Sequence, residues 1–399
     1  MSKGLHIRGD RYLWAYIALI GLFSFLPVYS ASSNLAYLYG DGNTFRYLFK
    51  HAVLLGSGFV ILYFTHHINY RYISGLSVIG LPVVVVLLIA TLLQGNTIAG
   101  ANASRWIQIP SVHLSFQTAS FATWVVMAYT ARYITKIHGV PLRFKDTLIE
   151  FFAPVILICG LILPAGFSTA ALLFTMVLIM LFIGGFPCRY IGFIAALGML
   201  GLILFVLTAK AFPNVMPNRV DTWISRVQRF HNSAAGDGYQ SEKAKIAIAS
   251  GGMFGVGPGK SVQKDFLPQS ASDFIFAIVI EEYGLIGGTV ILLLFILFFI
   301  RIMVITTKMP GFFGTLLVLG MGLPIVLQAF VNMGVAVGLL PVTGQTLPLI
   351  SSGGTALWMN CLEMGIILSA SRVLTEGRRS ARSESTENGF AKTIAQHID

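Results

Sequence analysis

In this 399-residue chain the acidic residues Asp273, Glu281, Glu282 and Glu363 fall inside long apolar stretches. Ionisable groups are costly in hydrocarbon, so their positions point to function. Three of the four share one stretch, and Asp273 stands at its start. On a helix, Glu281 lies about 80° around from Asp273 and about 12 Å further along. A glycosidase carboxylate pair needs roughly 5–9.5 Å. Any chemistry here therefore falls to Asp273 alone, at the water-exposed end. The rival reading has equal weight: Asp273 simply opens the helix, where a carboxylate suits the dipole.

Three further segments carry polar groups. Gly251 to Ser261 ends in Gly-Lys-Ser like a P-loop, but that pattern needs glycine where Phe254 stands. What remains is a glycine-rich backbone with one cation, Lys260, which suits a phosphate or pyrophosphate. A turn-rich surface loop is the simpler reading of the same residues. Asn102 to Ile107 holds Arg105 beside Trp106, readable as a ligand contact or as an interfacial anchor. Gly338 to Gly354 gathers Pro, Gly and the hydroxyls of Thr343, Thr346, Ser351 and Ser352. Irregular backbone at a membrane face is tolerated where it lines a cavity or is buried in protein. The eight His form no HExxH pair and the three Cys no CxxC, so no metal motif is visible.

The elements that must position these groups are membrane helices. The chain is 55% hydrophobic and 11% charged, against roughly 25% charged in soluble domains, and its mean hydropathy is +0.77. These values exclude a soluble enzyme, a disulfide scaffold, a disordered chain and a fibre. A crossing needs about 20 apolar residues. Ten stretches qualify: 12–31, 47–66, 72–94, 116–135, 147–164, 167–186, 190–210, 272–301, 312–338 and 354–372. The expected fold is an all-α polytopic membrane protein with a large extracytoplasmic loop, 211–271, between the seventh and eighth helices. Residues 1–372 form one transmembrane domain, and 373–399 form a polar, disordered tail.

Charge sets the orientation. Sixteen of the 27 basic residues lie on the side of the termini, including Arg8, Arg71, Arg132, Arg189 and Arg301. Only Arg46, Lys50 and Arg105 lie in short loops on the other side, and long loops are exempt from the rule. Both termini are therefore cytoplasmic. The net charge of +11 reads as this topological signal, with no nucleic-acid partner. Cleavage after Val28-Tyr29-Ser30 as a signal peptide would leave an odd helix count.

Several of these pieces together resemble the SEDS family (shape, elongation, division and sporulation proteins). They are Tyr239-Gln240, Ile246 to Lys260, Phe266-Leu267-Pro268, Asp273 to Ala277, Glu281 to Gly287, Gly338 to Gly354 and Asn102 to Ile107. The opening segment Leu26 to Ser32 looks more like the division branch than the elongation branch. The resemblance implies a peptidoglycan glycosyltransferase that polymerises lipid II at the outer face of the bacterial cytoplasmic membrane, at the division septum. The family's essential aspartate falls on Asp273, its upstream acid on Asp265 and its loop arginine on Arg105. Substrate contacts are expected at Arg105, Lys260, Gln240, Asp265, Ser351 and Ser352. A divalent cation, Mg or Mn, is an expected aid, and the metal's ligands are unassigned. The implied partners are a class B penicillin-binding protein (a transpeptidase) and other division proteins. A flippase of the lipid-linked precursor and a noncatalytic scaffold are the alternatives.

The chain departs from the family pattern in three places. Gln117-Thr118-Ala119-Ser120 lacks the family's Glu, and Pro164 to Ala170 lacks its acid. Gln269-Ser270-Ala271-Ser272 replaces the usual Glu-Ala-His-Thr. These losses put in doubt any metal or proton-relay role at those positions but leave Asp273 in place.

Overall fold

The computed structural model describes residues 9–39, 44–94, 97–98, 101–102, 106–109, 114–141, 144–211, 238–267 and 270–374. Arg105, residues 212–237 and 268–269 of the predicted 211–271 loop, and the tail from 375 lie outside them.

All ten predicted stretches are helical. In chain order the elements are α1 (Arg11–Tyr39), α2 (Thr44–Thr65), α3 (Arg71–Gln94) and α4 (Thr118–Ile137). α5 (Phe144–Thr147) runs through a π turn (Leu148–Phe152) into α6 (Ala153–Ile162). Then come α7 (Phe167–Ile183), α8 (Cys188–Ala211), α9 (Tyr239–Gly251), α10 (Ile275–Lys308) and α11 (Phe312–Ala336), and last α12 (Ala356–Leu374). Among the described residues seven helices are long and apolar enough to cross a membrane, and α7 is a shorter apolar helix. The chain is a multi-pass, essentially all-α membrane protein. Between α3 and α4 lie two antiparallel hairpins, β1 (Thr97–Ile98) with β2 (Ala101–Asn102) and β3 (Trp106–Ile109) with β4 (Leu114–Gln117). The fourth span thus starts at Thr118, after a strand.

Burial explains the composition of each helix. α4 carries Thr118, Thr123, Thr130, Arg132 and Lys136, and is not among the apolar spans. It can be this polar because α3, α6, α7 and α11 surround it. Thr123 and Thr130 donate to the carbonyls of Ala119 and Val126, so they bring no unpaired hydroxyl into the interior. α8 is the opposite case: its side chains point almost entirely outward and nearly all are apolar. Pro154 follows the π turn and has no N–H for the carbonyl of Glu150, four residues back. The Tyr129 hydroxyl donates to that carbonyl at 2.7 Å.

α10 is the longest helix, at 34 residues. That is about 51 Å, well beyond the roughly 30 Å hydrocarbon core. It is divided at Gly284, whose φ of 71° lies outside the helical region. Before the break, Ile275 to Glu282 are all buried. After it, burial falls on Gly288, Ile291, Phe295, Phe298, Ile302 and Ile305. This alternating three-and-four spacing is one packed stripe with lipid-facing residues around the rest.

At the end of the bundle where α1 begins, Asp10 joins three helices. Its Oδ1 accepts the Leu13 N–H at 3.0 Å and so caps α1. The same carboxylate takes a bidentate contact from Arg301 of α10, through Nε at 2.8 Å and through Nη2. Its own N–H donates to Ser371 Oγ on α12 at 3.0 Å. This contact places the start of α1 and the ends of α10 and α12 on one face, as an even helix count requires. Removing the carboxylate strands a partly buried guanidinium, which costs about 3 kcal/mol. Asp10→Ala should lower the thermal unfolding midpoint of the purified protein by several degrees. An unchanged midpoint would show that the contact carries no stability.

Candidate active site

Asp273 lies in a turn over 270–274, just ahead of α10, whose N-cap is Phe274. The position is half-buried. Three successive backbone carbonyls of this turn are held from outside it. Ser352 N–H donates to Ala271 O at 2.9 Å. Ser351 Oγ donates to Ser272 O at 2.6 Å. Asn332 Nδ2 of α11 donates to Asp273 O at 2.8 Å. The turn is also tied to α1, where Ser270 Oγ donates to Ala31 O at 3.3 Å.

The loop supplying these bonds, 337–355, is itself fixed. Asn332 Nδ2 also donates to Gln345 O at 2.7 Å, and Gln345 Nε2 donates to Thr169 Oγ1 of α7 at 2.9 Å. Gln328, one helical turn before Asn332, donates to Thr346 O at 2.9 Å. Leu349 within this loop has φ of 61°, the one non-glycine positive φ among the described residues. Such a conformation survives only where its surroundings dictate it. At the end of the loop, Thr355 Oγ1 donates to Ser115 O and accepts the Gln117 N–H, both at 3.0 Å. This ties the β3–β4 hairpin to the loop and places the Trp106 ring beside Gly354.

The predicted residues therefore separate into three groups. Ser351 is buried, and its hydroxyl is engaged on both sides, donating to Ser272 O and accepting the Leu347 N–H at 2.7 Å. It braces the Asp273 turn, where a substrate contact was expected. Ser352 gives its backbone to the same brace, and its side chain is exposed. Arg105 is outside the described residues, but the adjoining Trp106 brings its hairpin to the brace. Lys260 and Asp265 are exposed on the segment before the turn, and Gln240 is half-buried at the start of α9.

The glycine-rich segment is built differently from the expected phosphate cradle. Val256 N–H and Gly257 N–H donate to the carbonyls of Glu281 and Glu282 at 2.9 and 3.0 Å. In return, Leu285 N–H donates to Gly252 O at 2.9 Å. The N–H groups of Val256 and Gly257 are thus turned to α10 and unavailable to an anion. Gly255 and Gly284 make the approach possible. Both have positive φ, and a Cβ on either would lie 2.2 Å from a carbonyl oxygen of the other strand.

Glu281 fastens the next stretch. Its buried carboxylate accepts the Ser261 hydroxyl, the Val262 N–H at 3.0 Å and the Gln263 N–H at 3.2 Å. Glu282 points to the other side and accepts the Ser30 hydroxyl of α1. Among the described residues no group of three or more His, Cys, Asp or Glu could hold a metal ion.

A family model for cell cycle proteins, FtsW/RodA/SpoVE, matches residues 10–376. The chain belongs to the FtsW/RodA/SpoVE family. It is 32% identical over 368 residues to the probable peptidoglycan glycosyltransferase FtsW of Thioalkalivibrio sulfidiphilus, covering 90% of this chain and 88% of that one. It is 29% identical to the stage V sporulation protein E of Bacillus subtilis, over 87% of this chain and 92% of that protein. Among solved structures, a chain from a peptidoglycan synthase complex that coordinates polymerization and crosslinking superposes with TM-score 0.69 at 26% identity, covering 91% of this chain and 98% of that one. The rod shape determining protein RodA of Thermus thermophilus shares the fold at TM-score 0.64 and 24% identity, over 91% and 97% of the two chains. FtsW/RodA/SpoVE membership thus confirms the family resemblance drawn from the motifs around Asp273, the 338–354 loop and the Arg105 segment.

Bonds to a carboxylate are worth roughly 1.5–3 kcal/mol each. In Glu281→Gln the neutral amide loses much of this and turns a donor toward backbone donors. Amide hydrogen exchange at Val262 and Gln263 should then accelerate at least about tenfold. Unchanged protection at both amides would show that the carboxylate does not hold this segment.

Proposed function

We propose that this chain is a peptidoglycan glycosyltransferase that polymerises lipid II into glycan strands at the outer face of the bacterial cytoplasmic membrane, in septal wall synthesis. The observation that carries the reading is the Asp273 turn: a carboxylate at the outer end of α10, on backbone held by three bonds from α11 and the 337–355 loop. The names of the FtsW relatives support the reaction class.

Asp273 acts as general base. It takes the proton from the 4-hydroxyl of the acceptor sugar as that oxygen bonds to C1 of the donor. The bond from C1 to the diphosphate oxygen breaks, C1 inverts, and polyprenyl diphosphate leaves. The proton passes from Asp273 to water before the next turnover. Charge grows on the departing diphosphate, and Arg105 and Lys260 supply cations for it. Gln240 and Ser352 present polar groups to the sugars. Mg or Mn is bound mainly through one or two carboxylates and substrate phosphates. Asp265, exposed ahead of the turn, fits that role, and the ion would neutralise the leaving group. A class B penicillin-binding protein is the proposed partner, supported by the likeness to a chain of a synthase complex.

The flippase reading needs a polar path through the bilayer. Glu281 is spent on the 261–263 backbone and Glu282 on Ser30, so two of the three acids that favoured it have structural work. The scaffold reading predicts that loss of Asp273 is tolerated.

Asn in place of Asp273 keeps the shape but accepts no proton at neutral pH. Asp273→Asn should lower strand synthesis from labelled lipid II by roughly 10²–10⁴-fold, the usual worth of a general base. Expression, thermal stability and co-purification with the transpeptidase should stay near wild type. Near-normal synthesis by the folded variant would remove Asp273 from the mechanism. No synthesis by wild type, with or without the partner, would favour the flippase or scaffold.

A further inference from the structure

Asn332 lies on α11, 59 residues beyond Asp273, and is 1% exposed. Its two bonds run to carbonyl oxygens, Asp273 O at 2.8 Å and Gln345 O at 2.7 Å. Only the NH2 end of the amide can serve two carbonyls, so its orientation follows from chemistry. Its Oδ1 is buried and meets no donor among the described residues. An apolar side chain here would leave two interior carbonyls without a partner, each at a substantial penalty.

The bond to Asp273 O lies at the start of α10. Ala277 N–H donates to Phe274 O at 3.0 Å, and Ile278 N–H reaches the same oxygen at 3.4 Å. The carbonyl before it, Asp273 O, is turned out of the helix toward Asn332. Were it released, it could take the Ala277 N–H in the ordinary i to i+4 pattern and extend α10 backward by one residue. Each residue wound onto a helix turns by 100°. The Asp273 side chain would then leave the backbone in a different direction.

We propose that Asn332 is a positioning residue: by holding Asp273 O and Gln345 O together, it stops α10 at Phe274 and sets the direction of the Asp273 carboxylate. This rests on the reading of Asp273 as the base in strand synthesis. Asn332 acts only through Asp273. It touches no reacting atom, and lipid II binding is left to other groups.

The test is strand synthesis from labelled lipid II by full-length protein in complex with its transpeptidase. Wild type, Asn332→Ala, Asp273→Asn and the double variant are compared. Asn332→Ala should lower kcat by about 30- to 100-fold, with KM for lipid II within about threefold, as for a misdirected catalytic group. In the Asp273→Asn background, Asn332→Ala should cost no more than about a further threefold, since residues acting as one unit are not additive. Equal thermal midpoints and monodisperse preparations separate this from loss of folded protein. If Asn332→Ala does not fold, Asn332→Ser keeps one donor and should give about a tenfold loss with the same non-additivity. Wild-type kcat in the single variant, or a full multiplicative loss in the double variant, would overturn the positioning role alone. Inactive wild type would overturn the glycosyltransferase reading as well.

Discussion

Three adjacent carbonyls, those of Ala271, Ser272 and Asp273, each accept a hydrogen bond from α11 or from the loop after it. A non-helical backbone turn at the edge of a membrane bundle cannot satisfy its own carbonyls, and a buried carbonyl left unpaired costs about 1–3 kcal/mol. The loop must therefore be present and rigid before the turn can be. Its rigidity comes from Gln345 on Thr169 of α7, Gln328 on Thr346 and Thr355 on the β3–β4 hairpin. Through these bonds the position of one carboxylate depends on four separate parts of the chain.

The same turn also depends on the division of α10 at Gly284. Above the break the helix is enclosed on every side, and below it one stripe packs inward while the rest meets lipid. Gly255 and Gly284 let the 252–257 segment press its backbone against the break. The Glu281 carboxylate, one turn before the break, gathers Ser261, Val262 and Gln263. The chain approaching Asp273 is thus held to the helix that leaves it. At the far end Arg301 and Asp10 fix α10 to α1 and, through Ser371, to α12. The helix has a firm anchor at each end and its one irregularity between them.

Much of this was legible in the residues. Ten apolar stretches gave ten helices, because hydrocarbon thickness imposes a length that composition reveals. Asp273 stood out because an acid at the mouth of an apolar helix is rare. The partners of these groups were less legible. Glu281 reads as a membrane-embedded acid, and only the fold brings residues 261–263 under it. Gly251 to Lys260 reads as a phosphate cradle because a sequence shows glycines but not which carbonyls their neighbours meet. Ser351 reads as a ligand hydroxyl because its acceptor, Ser272 O, is 79 residues away. Asn332 left a faint signal: it and Gln328 are the two amides of an otherwise apolar α11, four residues apart and so on one face. Side-chain bonds to distant backbone have no spacing rule, and here they do most of the positioning.

Asp273→Glu asks whether a carboxylate on an immobile turn performs the chemistry. Glutamate keeps the charge and the basicity but carries the carboxylate one methylene further out. A flexible site could retreat to accommodate it, whereas a turn held at three carbonyls cannot. A misplacement of about 1 Å costs on the order of 10²-fold in rate. With purified protein and lipid II, the glutamate variant should fold normally and lose about two orders of magnitude in strand synthesis. Glycan-strand synthesis by Asp273→Glu at close to the wild-type rate would contradict an immobile catalytic turn.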